Sequence, residues 1–146
     1  MCETPANTNE EPPNPEAAID LELAIERCVD VFYTRAIGHP QLGPMFVKAI
    51  PNLPEHLRIV RDFWSHVLLG TSRYSSSPYN AHTHLPIDFE HFEQWLSLFA
   101  EAARETLPAE YAEKALAKAQ HMTKSFKAGL FPFTKADGSP SRTPAA

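Results

Sequence analysis

The sequence predicts a single all-α domain, and three observations support this. Apolar residues recur at intervals of three and four along four separate stretches, the repeat of a helix with one buried face. No stretch alternates apolar and polar residues in the manner of a strand. A chain of 146 residues, 43% of them apolar and 10% aromatic, can bury one core and is short for two.

The first helix is expected from about Ala17 to Ile37, with Leu21, Ile25, Cys28, Val29, Phe32, Tyr33 and Ala36 on one face and Gly38 and Pro40 closing it. A short turn is expected at Leu42-Gly43-Pro44-Met45-Phe46. The second helix opens on Asn52 with Glu55 three positions later and Pro54 in the first turn, and it runs to Leu69 before Gly70. Its inner stripe reads His56, Val60, Phe63 and Val67. Residues 71–86 show no period and hold Tyr79, His82 and His84; so long a connection predicts either disorder or function. The third helix is expected to start at Asp88 as N-cap, with Phe89, Phe92, Trp95, Leu96 and Phe99 on one face until Pro108 interrupts. The fourth runs from Pro108 to Leu130 with Tyr111, Ala115, Ala119, Met122 and Phe126 inward. Residues 1–16 and 132–146 lack any apolar period, so the domain is expected at 17–131 between two disordered tails that dock nowhere.

The net charge of −5 sits mostly in residues 1–16, which hold four glutamates and no cation; residues 17–131 carry only −2. No basic stripe argues for nucleic acid. The two cysteines, Cys2 and Cys28, imply no disulfide framework and fit a reducing compartment. The N-terminus has no secretory pattern, and no apolar run approaches the roughly 20 residues needed to span a bilayer. A cytoplasmic protein away from membranes is therefore expected.

Chemistry must come from the histidines and aromatic residues. His39, His91 and His121 read as turn or surface residues. His56 shares a stripe with Val60 and Phe63, so it faces the interior, where an imidazole needs a partner. Tyr33 and Trp95 face inward on two other helices. Each, taken singly, reads as core. Together, three polar-tipped rings from three helices make a pocket offering hydrogen-bond donors to something small. His82 and His84 are both candidates to anchor a metal from the opposite side. Zinc fits poorly, since neither Cys-x-x-Cys nor His-Glu-x-x-His occurs, and without Cys-x-x-Cys-His a haem would be held without thioether bonds.

Phe32-Tyr33, Leu42-Gly43-Pro44-Met45-Phe46, His56 seven positions before Phe63-Trp64, Val67-Leu68-Leu69-Gly70-Thr71 with Arg73-Tyr74, and His82 thirteen positions before Trp95 occur in this order. In that order and spacing, over about residues 20–131, the sequence resembles the truncated haemoglobins. The absence of Gly-Gly pairs points to group III. The resemblance implies a two-over-two globin fold around one haem b, with His82 as the proximal iron ligand. It implies that Phe46 packs on the haem plane and that Phe63, Trp64 and Met122 contact the haem. Tyr33, His56, Val60 and Trp95 would line the distal side. His84 departs from the family pattern of one histidine before the Leu-Pro segment.

A single imidazole on ferrous iron leaves the sixth position open to dioxygen, nitric oxide or carbon monoxide. Tyr33, His56 and Trp95 offer donors worth on the order of 1 kcal/mol or more each, which together slow ligand escape by roughly tens- to thousands-fold. Such retention argues against bulk oxygen transport. Three readings remain at this level: turnover of oxygen with nitric oxide or peroxide, fed by a separate and unidentified reductase; a non-catalytic gas-binding or sensing globin; and a haem-free helical interaction module.

Overall fold

The computed structural model describes residues 14–74 and 87–142. Helix α1 spans Pro15–Ile37. Asn14 caps it by accepting the Ala17 N–H at 2.8 Å, and Pro15 costs nothing where no intrahelical donor is needed. Its apolar stripe is buried from Leu21 to Ala36.

The expected turn at 42–46 is instead a helix, α2, Leu42–Ala49. The capping group is one that the sequence does not advertise: His39 Nδ1 accepts the N–H groups of Gln41 and Leu42, both at 3.1 Å. Pro44 lies in the first turn, where its missing N–H is harmless. Gly43 is required by proximity, because a Cβ there would stand 2.2 Å from the Ile37 carbonyl oxygen. Any side chain would push α2 off the end of α1.

Helix α3, Leu53–Leu69, starts on the expected cap, with Asn52 accepting the Glu55 N–H at 3.2 Å. It ends at Gly70, whose φ of 75° is a left-handed conformation that glycine adopts without strain. Helix α4 spans His91–Thr106, its N-cap Glu90 two residues later than expected. Asp88 is not its side-chain cap; the Asp88 N–H donates to His91 Nδ1 at 2.9 Å, and residues 88–90 form a turn. Helix α5, Ala109–Leu130, follows directly on Pro108.

Helix α1 packs on α3 and α4, α5 packs on α4 and α3, and α2 bridges α1 and α4. The result is a two-over-two helical sandwich with one continuous core. A bidentate Arg35–Glu105 pair, at 2.7 and 2.8 Å, ties the end of α1 to α4. At its other end, buried Ser65 on α3 donates to Glu22 of α1 at 2.7 Å, and Arg73 reaches Glu22, Ser65 and Asp62. Cys28 is a buried free thiol whose pKa is raised by desolvation. No described helix is long and apolar enough to cross a membrane.

The segment after α5 departs from the expected structureless tail. Phe133–Thr134 (β1) pairs antiparallel with Pro140–Ser141 (β2) across a turn at Gly138, where φ is 90°. Asp137 accepts from both the N–H and the Oγ of Ser139, at 2.9 and 2.6 Å. Just past β2, Arg142 joins the hairpin to the helical body by donating to the Ile87 carbonyl at 2.8 Å. Two residues per strand are too few to register as a period, and a lone arginine carries no apolar signature.

Candidate functional site

A cleft opens between the two helical layers and comprises two adjoining cavities of about 110 and 240 Å³. Tyr33, His56, Ile59 and Trp95 line both. The smaller is also walled by Val60, Phe63, Trp64 and Met122, the larger by Phe46. Every sequence-predicted site residue within the described segments therefore borders this cleft. His82 and His84 lie outside the described residues.

The placement follows from helix geometry. Phe32 and Tyr33 are adjacent on the inner face of α1, and Phe32 acts as hub, meeting Tyr33, Trp95 and Phe99 edge-on at 4.9, 5.9 and 5.9 Å. Phe99 in turn stacks on Trp64 at 4.8 Å and on Trp95 at 5.8 Å. Each ring is fixed by neighbours from other helices, which makes the cleft wall stiff. On α3, His56 and Val60 are one turn apart, so both reach the same side.

The polar edge of the cleft is the contact between Tyr33 Oη and His56 Nε2, 2.9 Å long. Burial pushes the Tyr33 phenol above its ordinary value near 10, so it stays protonated across working pH. The linkage has a definite sign. Above about pH 10 the unfolded chain releases this proton while the folded one keeps it, so stability is complete below that pH and falls as pH rises, by up to about 1.4 kcal/mol per unit. Tyr33→Phe is expected to flatten the fall measured by denaturant unfolding between about pH 9 and pH 11. The Tyr74 phenol and the Cys28 thiol, both raised by burial, contribute slope of the same sign.

Several lining residues were invisible in the sequence. Ile59 stands at the mouth and is 39% exposed. Tyr74 lines the smaller cavity, edge-on to Phe63 at 5.1 Å, yet comes from a stretch without period. Ile87 and His91 line the larger cavity. The reading of His91 as a plain surface residue is thus corrected: it begins α4 half-buried, its Nδ1 held by the Asp88 N–H.

An apolar cleft with aromatic walls and one polar edge suits a flat, largely apolar group that presents a single reactive face. The Bacterial-like globin family matches residues 17–128. The chain belongs to that family. This globin is 30% identical over 115 residues to the Group 3 truncated hemoglobin of Campylobacter jejuni, covering 75% of this chain and 91% of the relative. It also superposes on the crystal structure of the group III truncated hemoglobin from Campylobacter jejuni with a TM-score of 0.67 at 31% identity, covering 72% of this chain and 87% of the other. The fold is accordingly a truncated globin fold, and the protein is a haem-binding globin. The family match ends within α5, short of the hairpin.

Proposed function

We propose that this globin holds haem b in the cleft, with His82 as the iron's protein ligand. Phe46 packs on the macrocycle plane, and Phe63, Trp64 and Met122 flank it. Tyr33, His56, Val60 and Trp95 face the diatomic ligand. The observation that carries this proposal is the Tyr33–His56 hydrogen bond on a cavity wall shared with Trp95. When bound, haem iron supplies an open position for dioxygen, nitric oxide or carbon monoxide, and redox chemistry with nitric oxide or peroxide when a separate reductase donates electrons.

The chain's own groups do the rest. The Tyr33–His56 contact has two proton arrangements. If Tyr33 donates to Nε2, its hydrogen is spent inside the protein. If Nε2–H donates to Oη, the phenol hydrogen is released toward the cavity and an acceptor ligand there is gripped. A ligand with acceptor character selects the second arrangement, and the Trp95 indole N–H adds another donor. Ile59 and Val60 keep the surroundings apolar, which strengthens each bond. Strong retention favours turnover over bulk oxygen transport. The buried free thiol of Cys28 suits a reducing cytoplasmic setting.

Absorption spectra after mixing with haemin test the proposal. A Soret band, a five-coordinate ferrous spectrum and a shift on adding carbon monoxide are expected. No haem uptake, or a ferrous form with both axial positions filled by protein, overturns it. Nitrate formation from nitric oxide by the oxygenated protein separates turnover from mere gas binding.

A further inference from the structure

We propose that the C-terminal hairpin is a strap that sets how long this globin keeps its haem, with Arg142 as the positioning residue; this rests on the haem reading above. The hairpin lies outside the span matched by the family, so it is a feature of this chain to be explained from its own contacts.

The strap is built in three steps. Asp137 and Gly138 set the turn, and the Lys135 N–H closes it on the Ser139 carbonyl at 2.8 Å. The pairing of Phe133 with Ser141 then carries the chain back, leaving Ser141 only 8% exposed. Finally, Arg142 Nη2 donates to the Ile87 carbonyl, while its guanidinium sits 5.0 Å from the Phe131 ring centre.

What the strap holds is the cavity wall. Ile87 is 6% exposed and lines the larger cavity together with Phe92. Phe131 packs edge-on against Phe89 at 5.5 Å and Phe92 at 6.4 Å. Residues 87–90 lead into α4 as irregular backbone and a turn, tied by the Asp88 N–H to His91 Nδ1 and by the His91 N–H to the Asp88 carbonyl, neither of which engages Ile87. Arg142 therefore pins, from outside, a carbonyl whose residue faces the haem cleft inside. Releasing it frees Ile87 to move away from the cleft and lowers the barrier to haem escape. Tyr33, His56 and Trp95 line the same larger cavity as Ile87, but the Tyr33–His56 hydrogen bond includes no residue of the strap.

The test uses full-length Arg142→Gln, Arg142→Lys and Asp137→Ala. Haem transfer to excess apomyoglobin gives the loss rate, and amide exchange at residues 87–92 is followed in both loaded and haem-free protein. Arg142→Gln is expected to lose haem about three- to tenfold faster, the effect of one charge-assisted bond to a carbonyl. Exchange at 87–92 should quicken even without haem. Arg142→Lys, which still presents a cationic donor, should recover most of the difference. Asp137→Ala should move in the same direction by loosening the turn. The carbon monoxide association rate should stay at the wild-type value, a split that general destabilisation would not give. Haem loss unchanged in both Arg142→Gln and Asp137→Ala, or unchanged exchange at 87–92 in haem-free protein, overturns the strap. Should the wild-type chain take up no haem, the haem reading falls, and haem-free exchange still judges the strap alone.

Discussion

His82→Ala is expected to abolish stable haem uptake, whereas His84→Ala leaves it nearly intact. The proposal gives the iron to His82, the histidine that the family resemblance points to through its thirteen-residue spacing to Trp95. Four of the described histidines have partners of their own. His39 Nδ1 caps α2, His66 Nδ1 lies 2.7 Å from the Thr71 carbonyl, His91 Nδ1 accepts from Asp88, and His56 Nε2 contacts Tyr33. His121 is exposed on α5. Loss of an iron ligand should exceed the roughly 10–100-fold cost of losing a mere supporting partner. Haem transfer rates and ferrous spectra of the two variants check this. Equal loss in both, or loss only in His84→Ala, shows that the ligand is the wrong histidine.

Tyr33→Phe and Trp95→Phe should each speed oxygen dissociation by about five- to thirtyfold, the loss of one donor in a dry cavity, and the double substitution should exceed either alone. Each change keeps an aromatic body, so the Phe32-centred packing persists and the effect isolates the polar atom. The effects need not multiply, because Tyr33 acts together with His56. His56→Leu should change association as well as dissociation. His56 sits one turn inside α3, half-buried beside the exposed Ile59, where a ring that swings outward opens the mouth. Stopped-flow displacement of oxygen by carbon monoxide measures all three. Unchanged dissociation throughout would leave the trio as ordinary core.

How legible each part was follows from how its signal is carried. Helices α3 and α5 bury long stripes and begin at Asn52 and Pro108, so period and punctuation agree, whereas α1 starts at Pro15 on its Asn14 cap, two residues before the expected Ala17. The inward direction of Tyr33, His56 and Trp95 followed from the stripes of α1, α3 and α4. Helix α2 was missed because its cap is an imidazole and its first turn holds a glycine and a proline, residues that normally announce a turn. The start of α4 was placed early because Asp88 has the identity of a cap, yet its backbone N–H is what matters, through His91. Tyr74, Ile87 and Arg142 reach the cleft or its wall from irregular segments, where no period exists to show which way a side chain points.

The chain has only two tryptophans, and both stand on this cleft, face to face with the same ring, Phe99. Tryptophan emission therefore comes solely from the place where a strongly absorbing group would sit. On the proposed placement of haem, a loaded molecule should be dark, an empty folded one bright from a rigid, apolar setting, and an unfolded one bright at longer wavelength. The protein thus carries its own optical gauge, able to tell departure of the prosthetic group from collapse of the scaffold without any added label.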